Sequence, residues 1–188
     1  MVLMSLTKPQ QTVLLTLAWE SIAQGLKTGK PLKVHPDEYP AELTVPRATF
    51  VTLERNKELR GCIGMLEAIR PLVQDVAENA FAAAFCDRRF IPLADHELVD
   101  LEVHISILSP AEEMTFSSEL DLLGQLRPNI DGLILQEGSH RATFLPSVWE
   151  SLHAPMQFLQ QLKQKAGLPA TYWSKTIKAY RYTTESFG

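Results

Sequence analysis

The sequence predicts one α+β domain over residues 8–188, a mostly antiparallel sheet covered by helices. Three observations carry this. Segments of helical and of two-residue hydrophobic period are interleaved along the chain. Two pairs of strand-like runs are each joined by a short polar turn, which marks hairpins rather than parallel crossovers. The 188 residues, 45% hydrophobic and 21% charged, are enough to bury a real core without staples.

Residues 1–7 read as a flexible lead-in. A first helix is predicted from Pro9 to Leu26, with Thr7 as its cap and Val13, Leu14, Leu17, Ala18 and Ile22 as its apolar stripe. Gly29 and Pro31 close it. Residues 31–47 hold Pro31, Pro36, Pro40 and Pro46 and predict a surface excursion with little regular structure. Thr49–Leu53 reads as a strand, Glu54–Glu58 as a polar turn, and Leu59–Leu66 as the returning strand. Pro71 suits the first turn of a helix reaching about Phe85. Phe90-Ile91-Pro92-Leu93 should plug the core.

Val99–Leu108 is the clearest strand. Leu101, Val103, Ile105 and Ile107 fall on one face, and Glu102, His104 and Ser106 on the other. A short helix follows near Ser118–Leu126. A second hairpin pairs Leu133–Leu135 with Arg141–Leu145, and a helix runs from Pro155 to Ala166 with Gly167 as a left-handed stop. Thr176–Tyr182 reads as a closing strand.

Composition narrows the function. A net charge of -4 and scattered basic residues argue against nucleic-acid binding, which needs a basic face to displace phosphate counterions. The start of the chain lacks the pattern of a secretory signal, and no stretch approaches the roughly 18 apolar residues that span a bilayer. A cytoplasmic protein is therefore expected, with no membrane contact and with Cys62 and Cys86 reduced. There is no C-x-x-C, no H-E-x-x-H, no phosphate loop and no dinucleotide fingerprint, and His35, His96, His140 and His153 are dispersed. Neither a metal nor a cofactor is expected.

One segment stands out. Leu59-Arg60-Gly61-Cys62-Ile63-Gly64 places two glycines inside a strand, which tolerates them only at a bulge or a close backbone approach. By the strand period, Arg60, Cys62 and Gly64 share one face, with neighbours roughly 6.5–7 Å apart. A guanidinium there favours the thiolate. Glycine beside cysteine clears space for a small-molecule ligand. The plain alternative is a buried cysteine acting as a small hydrophobe, with glycines that let a helix pack on the sheet.

His104 is the second candidate. A Cys–His pair forms if its strand neighbours that of Cys62 with polar faces aligned; the alternative is an exposed histidine on a solvated face. In Cys86-Asp87-Arg88-Arg89-Phe90, Asp87 suits backbone amides in the turn, and the arginines suit an anion or the helix-end carbonyls.

These residues resemble the AMMECR-domain family, which includes protein A of the AmmeMemoRadiSam system. Leu59–Gly64 looks like the family signature, and Asp87-Arg88-Arg89-Phe90 is similar to its D-P-R-F, with Arg88 for proline. Phe50–Leu53, Ser106–Pro110, Asp131–Leu135, Phe144-Leu145-Pro146 and Val148-Trp149-Glu150 agree in order. Two positions depart: the family more often has Glu at His104 and Gln at Ser147. The resemblance implies the family's α+β fold with a smaller lobe, and the company of a Memo-like protein and a radical S-adenosylmethionine protein. The residues themselves point to a binding, regulatory or accessory module acting through a groove around Arg60–Gly64, with Arg60, Gly61, Gly64, Asp87 and Arg89 as ligand contacts, or, alternatively, to an enzyme with Cys62 as nucleophile or covalent carrier and His104 as proton carrier.

Overall fold

The computed structural model describes residues 5–188. The chain forms two compact units, one of the residues up to Leu108 with Glu185–Gly188, the other of Ser109–Thr184. The first four residues of the expected lead-in lie outside the described ones. Leu6 is not loose: it is buried, and its N–H donates to Glu185 Oε1 at 2.9 Å.

In the first unit, α1 (Lys8–Thr28) opens on a reciprocal cap between Thr7 and Gln10 and ends at Gly29, with φ of 69°. Leu14, Leu17, Ala18 and Ile22 are buried as the stripe predicts, while Val13 is left at the margin. The proline-rich stretch forms only a 3-10 turn at Pro36–Glu38 and α2 (Ala41–Thr44). Next come β1 (Thr49–Arg55) and β2 (Glu58–Gly64), an antiparallel hairpin. Asn56 and Lys57 take φ of 53° and 65° at its tip, the left-handed pair that matches strand twist. α3 (Leu72–Phe85) follows, then a 3-10 segment at Asp95–Asp100 and β3 (Leu101–Leu108).

β3 pairs with β1, so the four-stranded sheet runs β2-β1-β3-β8, where β8 (Thr184–Phe187) is the last strand. Its hydrophobic face, Val51, Leu53, Val103, Ile105 and Ile107, is buried beneath α1 and α3. The buried Asp75 on α3 accepts from the Thr49 backbone and hydroxyl at 3.0 and 2.6 Å and from Arg70 Nε at 2.9 Å. That anchor fixes where β1 begins, because an unpaired carboxylate there is costly to bury. The expected plug is only half right: Leu93 is buried, but Ile91 is 80% exposed.

The second unit is the smaller lobe. β4 (Glu112–Glu113), β5 (Gly132–Glu137), β6 (His140–Phe144) and β7 (Lys178–Tyr182) form a sheet of order β4-β7-β5-β6. α4 (Glu119–Gln125), capped by Ser118, and α5 (Pro155–Lys165) contribute to its core. Trp149 stacks on Phe158 with ring centroids 3.8 Å apart, and its indole N–H satisfies the Asp131 carbonyl. Lys163 is fully buried and answered by Glu119. Gly167 takes φ of 86° after α5, as its position predicts.

Candidate functional site

β2 is an edge strand, so one side of its backbone lacks a neighbouring strand. At Cys62 side chains take that place. The Cys62 N–H donates to Asp87 Oδ2 at 3.0 Å, and Arg89 Nη2 reaches the Cys62 carbonyl at 3.4 Å. Asp87 lies just past the end of α3 and also accepts from the Arg89 backbone at 3.1 Å, a tight local turn of the kind expected of it. The Arg89 guanidinium grips the same carboxylate at 2.7 Å. Its hydrogen bond, followed by the Cys62 and Arg89 amides, holds the Asp87 carboxyl well below the usual carboxylate range, against the opposing effect of burial.

Cys62 is half-buried, not sealed in the interior. Its Sγ lies 3.2 Å from Thr52 Oγ1 on the neighbouring strand. Thr52 is the Cα partner of Cys62 on one side and of His104 on the other. The three side chains form a row on the face turned away from α1 and α3. Because β1 stands between them, Cys62 and His104 are two strands, about 9–10 Å, apart. The conditional Cys–His pair is thus not made directly: its faces align, but its strands are not neighbours. His104 Nε2 instead points at Glu54 and Glu102, 3.7 Å from a carboxylate oxygen of each.

Arg60 does not follow the strand alternation. Leu53 pairs with Gly61 and Glu54 with Leu59, so Arg60 is the extra residue of a bulge. Its guanidinium goes to Glu97, Nε to Oε1 at 2.7 Å and Nη2 to Oε2 at 2.9 Å, and to the Ile91 carbonyl at 3.0 Å. Arg55 shares Glu97 at 2.9 Å and also binds Asp100. The Arg60 hydrogen bond holds the Glu97 carboxyl down to about 2, with further help from the Ala94 amide and Arg55. The expected Arg60–Cys62 partnership is therefore corrected: the bulge hands Arg60 to a carboxylate. Arg89 is a cation with electrostatic reach to the thiol. Its pKa is raised first by Asp87 and, in smaller part, by the charge of Cys62. Both arginines approach the Phe90 ring, with Cζ atoms 5.8 and 5.5 Å from its centre.

The glycines have packing reasons. A Cβ on Gly61 would overlap the Ala83 carbonyl of α3, and one on Gly64 would overlap the Phe50 ring and the Thr49 carbonyl. Both allow close approach, Gly61 by a helix and Gly64 by β1. Leu59, Ile91 and Val99 are exposed, the last by 90%.

Sequence reasoning missed Thr52, Glu54 and Glu97 as members of this site. An arginine in a half-buried strand signals that a partner exists, but nothing in the spacing names Glu97, 37 positions away. Among the described residues, no helix is long and apolar enough to cross a membrane.

Comparison with known proteins agrees with this architecture. A protein of Methanothermobacter thermautotrophicus is 34% identical over 97% of this chain and 95% of its own. One from Thermotoga maritima is 39% identical over 82% and 86%. The crystal structure of the uncharacterized protein PH0010 from Pyrococcus horikoshii superposes with a TM-score of 0.89, at 33% identity, covering 96% of this chain and 92% of that one. The sequence profile of the AMMECR1 family matches residues 15–187, and the chain belongs to that family.

Proposed function

We propose that this chain is a binding or accessory module that engages a partner along the β2 edge, around Arg60–Gly64. The observation that carries this is that the charged side chains there are held by protein partners, with one buried guanidinium nitrogen, Arg60 Nη1, left without a hydrogen bond. Arg60 is held by Glu97, and Arg89 by Asp87. The Thr52 hydroxyl lies 3.2 Å from the thiol sulfur. A nucleophilic site needs a nucleophile, a base and a charge stabiliser in one place. Here the polar residues hold the strand in shape, and exposed Leu59, Ile91 and Val99 supply apolar contact area close by. The Memo-like and radical S-adenosylmethionine proteins implied by the family resemblance are the first partners to test.

The test is a binding titration of the purified chain against each purified candidate, with Leu59→Glu, Ile91→Glu and Val99→Glu as surface variants. Saturable binding that weakens at least tenfold in these variants supports the reading. Binding indifferent to all three removes the β2 edge from it.

A second reading, chemistry at the Cys62 thiol, is favoured by one observation, the Arg89 guanidinium set 3.4 Å from the Cys62 carbonyl, where its charge favours the thiolate. It requires native thiol reactivity that depends on Arg89.

A further inference from the structure

The face that carries Cys62 also carries a second group of side chains. Glu54 on β1 and Glu102 on β3 are direct Cα partners, and His104 stands two residues along β3 from Glu102. All three project from the same side of the sheet by the two-residue period. His104 Nε2 is 3.7 Å from Glu54 Oε2 and 3.7 Å from Glu102 Oε2, and one ligand atom from each residue lies within 4.8 Å of the other two.

Two carboxylates directly opposed across strands repel each other. Surface pairs of that kind are commonly relieved by Lys or Arg. Among the described residues, neither Glu54 nor Glu102 has an ion-pair partner other than His104. Arg55, next to Glu54 in sequence, is spent on Glu97 and Asp100 instead. The imidazole separates this cluster from an ordinary acidic patch, because it adds a soft, directional nitrogen aimed between two hard oxygens.

The geometry points to a divalent first-row cation, Zn²⁺ in particular, bound by Glu54, Glu102 and His104. Ligands at about 2.1 Å from a tetrahedral zinc lie roughly 3.4 Å from one another. The two 3.7 Å separations from His104, and a carboxylate-to-carboxylate separation within 4.8 Å, close to that by rotation of the two exposed or half-exposed glutamate side chains. One imidazole and two carboxylates match zinc, manganese or ferrous iron better than magnesium or calcium, which prefer all-oxygen shells. Three protein ligands leave a fourth position for water or a ligand. The half-exposed state of His104 and Glu102 gives an ion direct access. No ligand spacing in the sequence marks the group, because Glu54 arrives from a neighbouring strand, 48 positions before Glu102 by their numbering. The inference is independent of the partner reading above.

Titration of the full chain with Zn²⁺ by calorimetry, with Co²⁺ absorption as a readout of coordination geometry, tests it. One equivalent of tight Zn²⁺ and a four-coordinate Co²⁺ spectrum are expected. Glu54→Gln, Glu102→Gln and His104→Ala should each weaken binding at least tenfold, while keeping the native circular dichroism spectrum. Glu58→Gln, an exposed change on β2, and the double change Cys62→Ser with Cys86→Ser should leave it intact. No binding by the unmodified chain at 100-fold excess over protein overturns the site. So does binding that survives all three ligand substitutions, or that disappears only with the thiols.

Discussion

The carboxylate of Asp87 accepts the backbone N–H of Cys62 at 3.0 Å, so a side chain from the end of α3 does the work of a missing strand at the sheet edge. The same carboxylate binds Arg89 twice, and Arg89 closes the bracket on the Cys62 carbonyl. The conformation of the signature strand at its central residue is thus set by residues 25 and 27 positions away.

Asp87→Ala removes the acceptor and strands the Cys62 amide, while the Arg89 guanidinium, more than half exposed, turns to water. A loss of about 1–2 kcal/mol is expected in urea unfolding, since an unmade hydrogen bond costs the desolvation of the stranded group. Asp87→Asn keeps one oxygen for the amide and should lose less. Amide hydrogen exchange at Cys62 should accelerate in Asp87→Ala more than at Val51, which is buried on the central strand β1. Equal exchange in wild type and variant would show that the edge does not need this bracket.

Gly61→Ala places a methyl group against the Ala83 carbonyl. Backbone cannot yield as a flexible side chain does, so α3 or β2 must shift. Overpacking of this kind costs about 1–3 kcal/mol, read as a lower urea midpoint at unchanged slope. Gly124, inside α4 with open space beside it, is the control: change to Ala there should hold stability or raise it by up to about 1 kcal/mol.

Much of this arrangement is legible in the sequence, because it follows from local rules. The cap at Thr7, the stop at Gly29, the alternation in Leu101–Leu108 and the turn at Gly167 all depend on residues a few positions apart. The alternative of glycines that admit a helix is also the one Gly61 realises. What is not legible depends on pairing. Strict two-residue alternation puts Arg60 on the thiol's face, but a single bulged residue reverses it, and no spacing in Leu59–Gly64 announces a bulge. Strand order was likewise open: that β1 separates Cys62 from His104 is a property of the sheet, not of either strand. β8 is not legible, because four residues with mixed polarity carry too short a pattern to read.

The Arg55–Glu97–Arg60 cluster makes stability depend on pH in a stated direction. Folding lowers the Glu97 carboxyl from 4.5 to about 2, first through the Arg60 hydrogen bond. The unfolded chain therefore binds this proton more readily than the native one. The stabilisation is fully present above pH 4.5 and is lost as pH falls from there toward 2. Glu97→Gln should remove about 3 kcal/mol at neutral pH, because it strands the largely buried Arg60. It should also flatten the fall in urea midpoint between pH 5 and 3. A variant that retains the wild-type acid slope would place the responsible carboxylate elsewhere.

Reactivity at Cys62 tests which arginine governs the thiol. Cys86 is exposed and would report first, so the measurement belongs in a Cys86→Ser background. Arg60 is turned to Glu97, whereas Arg89 senses the charge of Cys62 and is itself more than half exposed. A cation near the sulfur favours the thiolate, the species that reacts with iodoacetamide. Arg89→Gln should slow labelling at pH 7 by about two- to fivefold, and Arg60→Gln should change it little unless the bulge collapses. Thr52→Val then separates electrostatics from local hydrogen bonding: it deletes the hydroxyl 3.2 Å from Sγ without touching either charge. If labelling answers to Thr52 and Arg60 but not to Arg89, the electrostatic assignment fails and the thiol is tuned through its own sheet face. A thiol that labels only after denaturation removes the second reading altogether and leaves the β2 edge as a surface for contact, not chemistry.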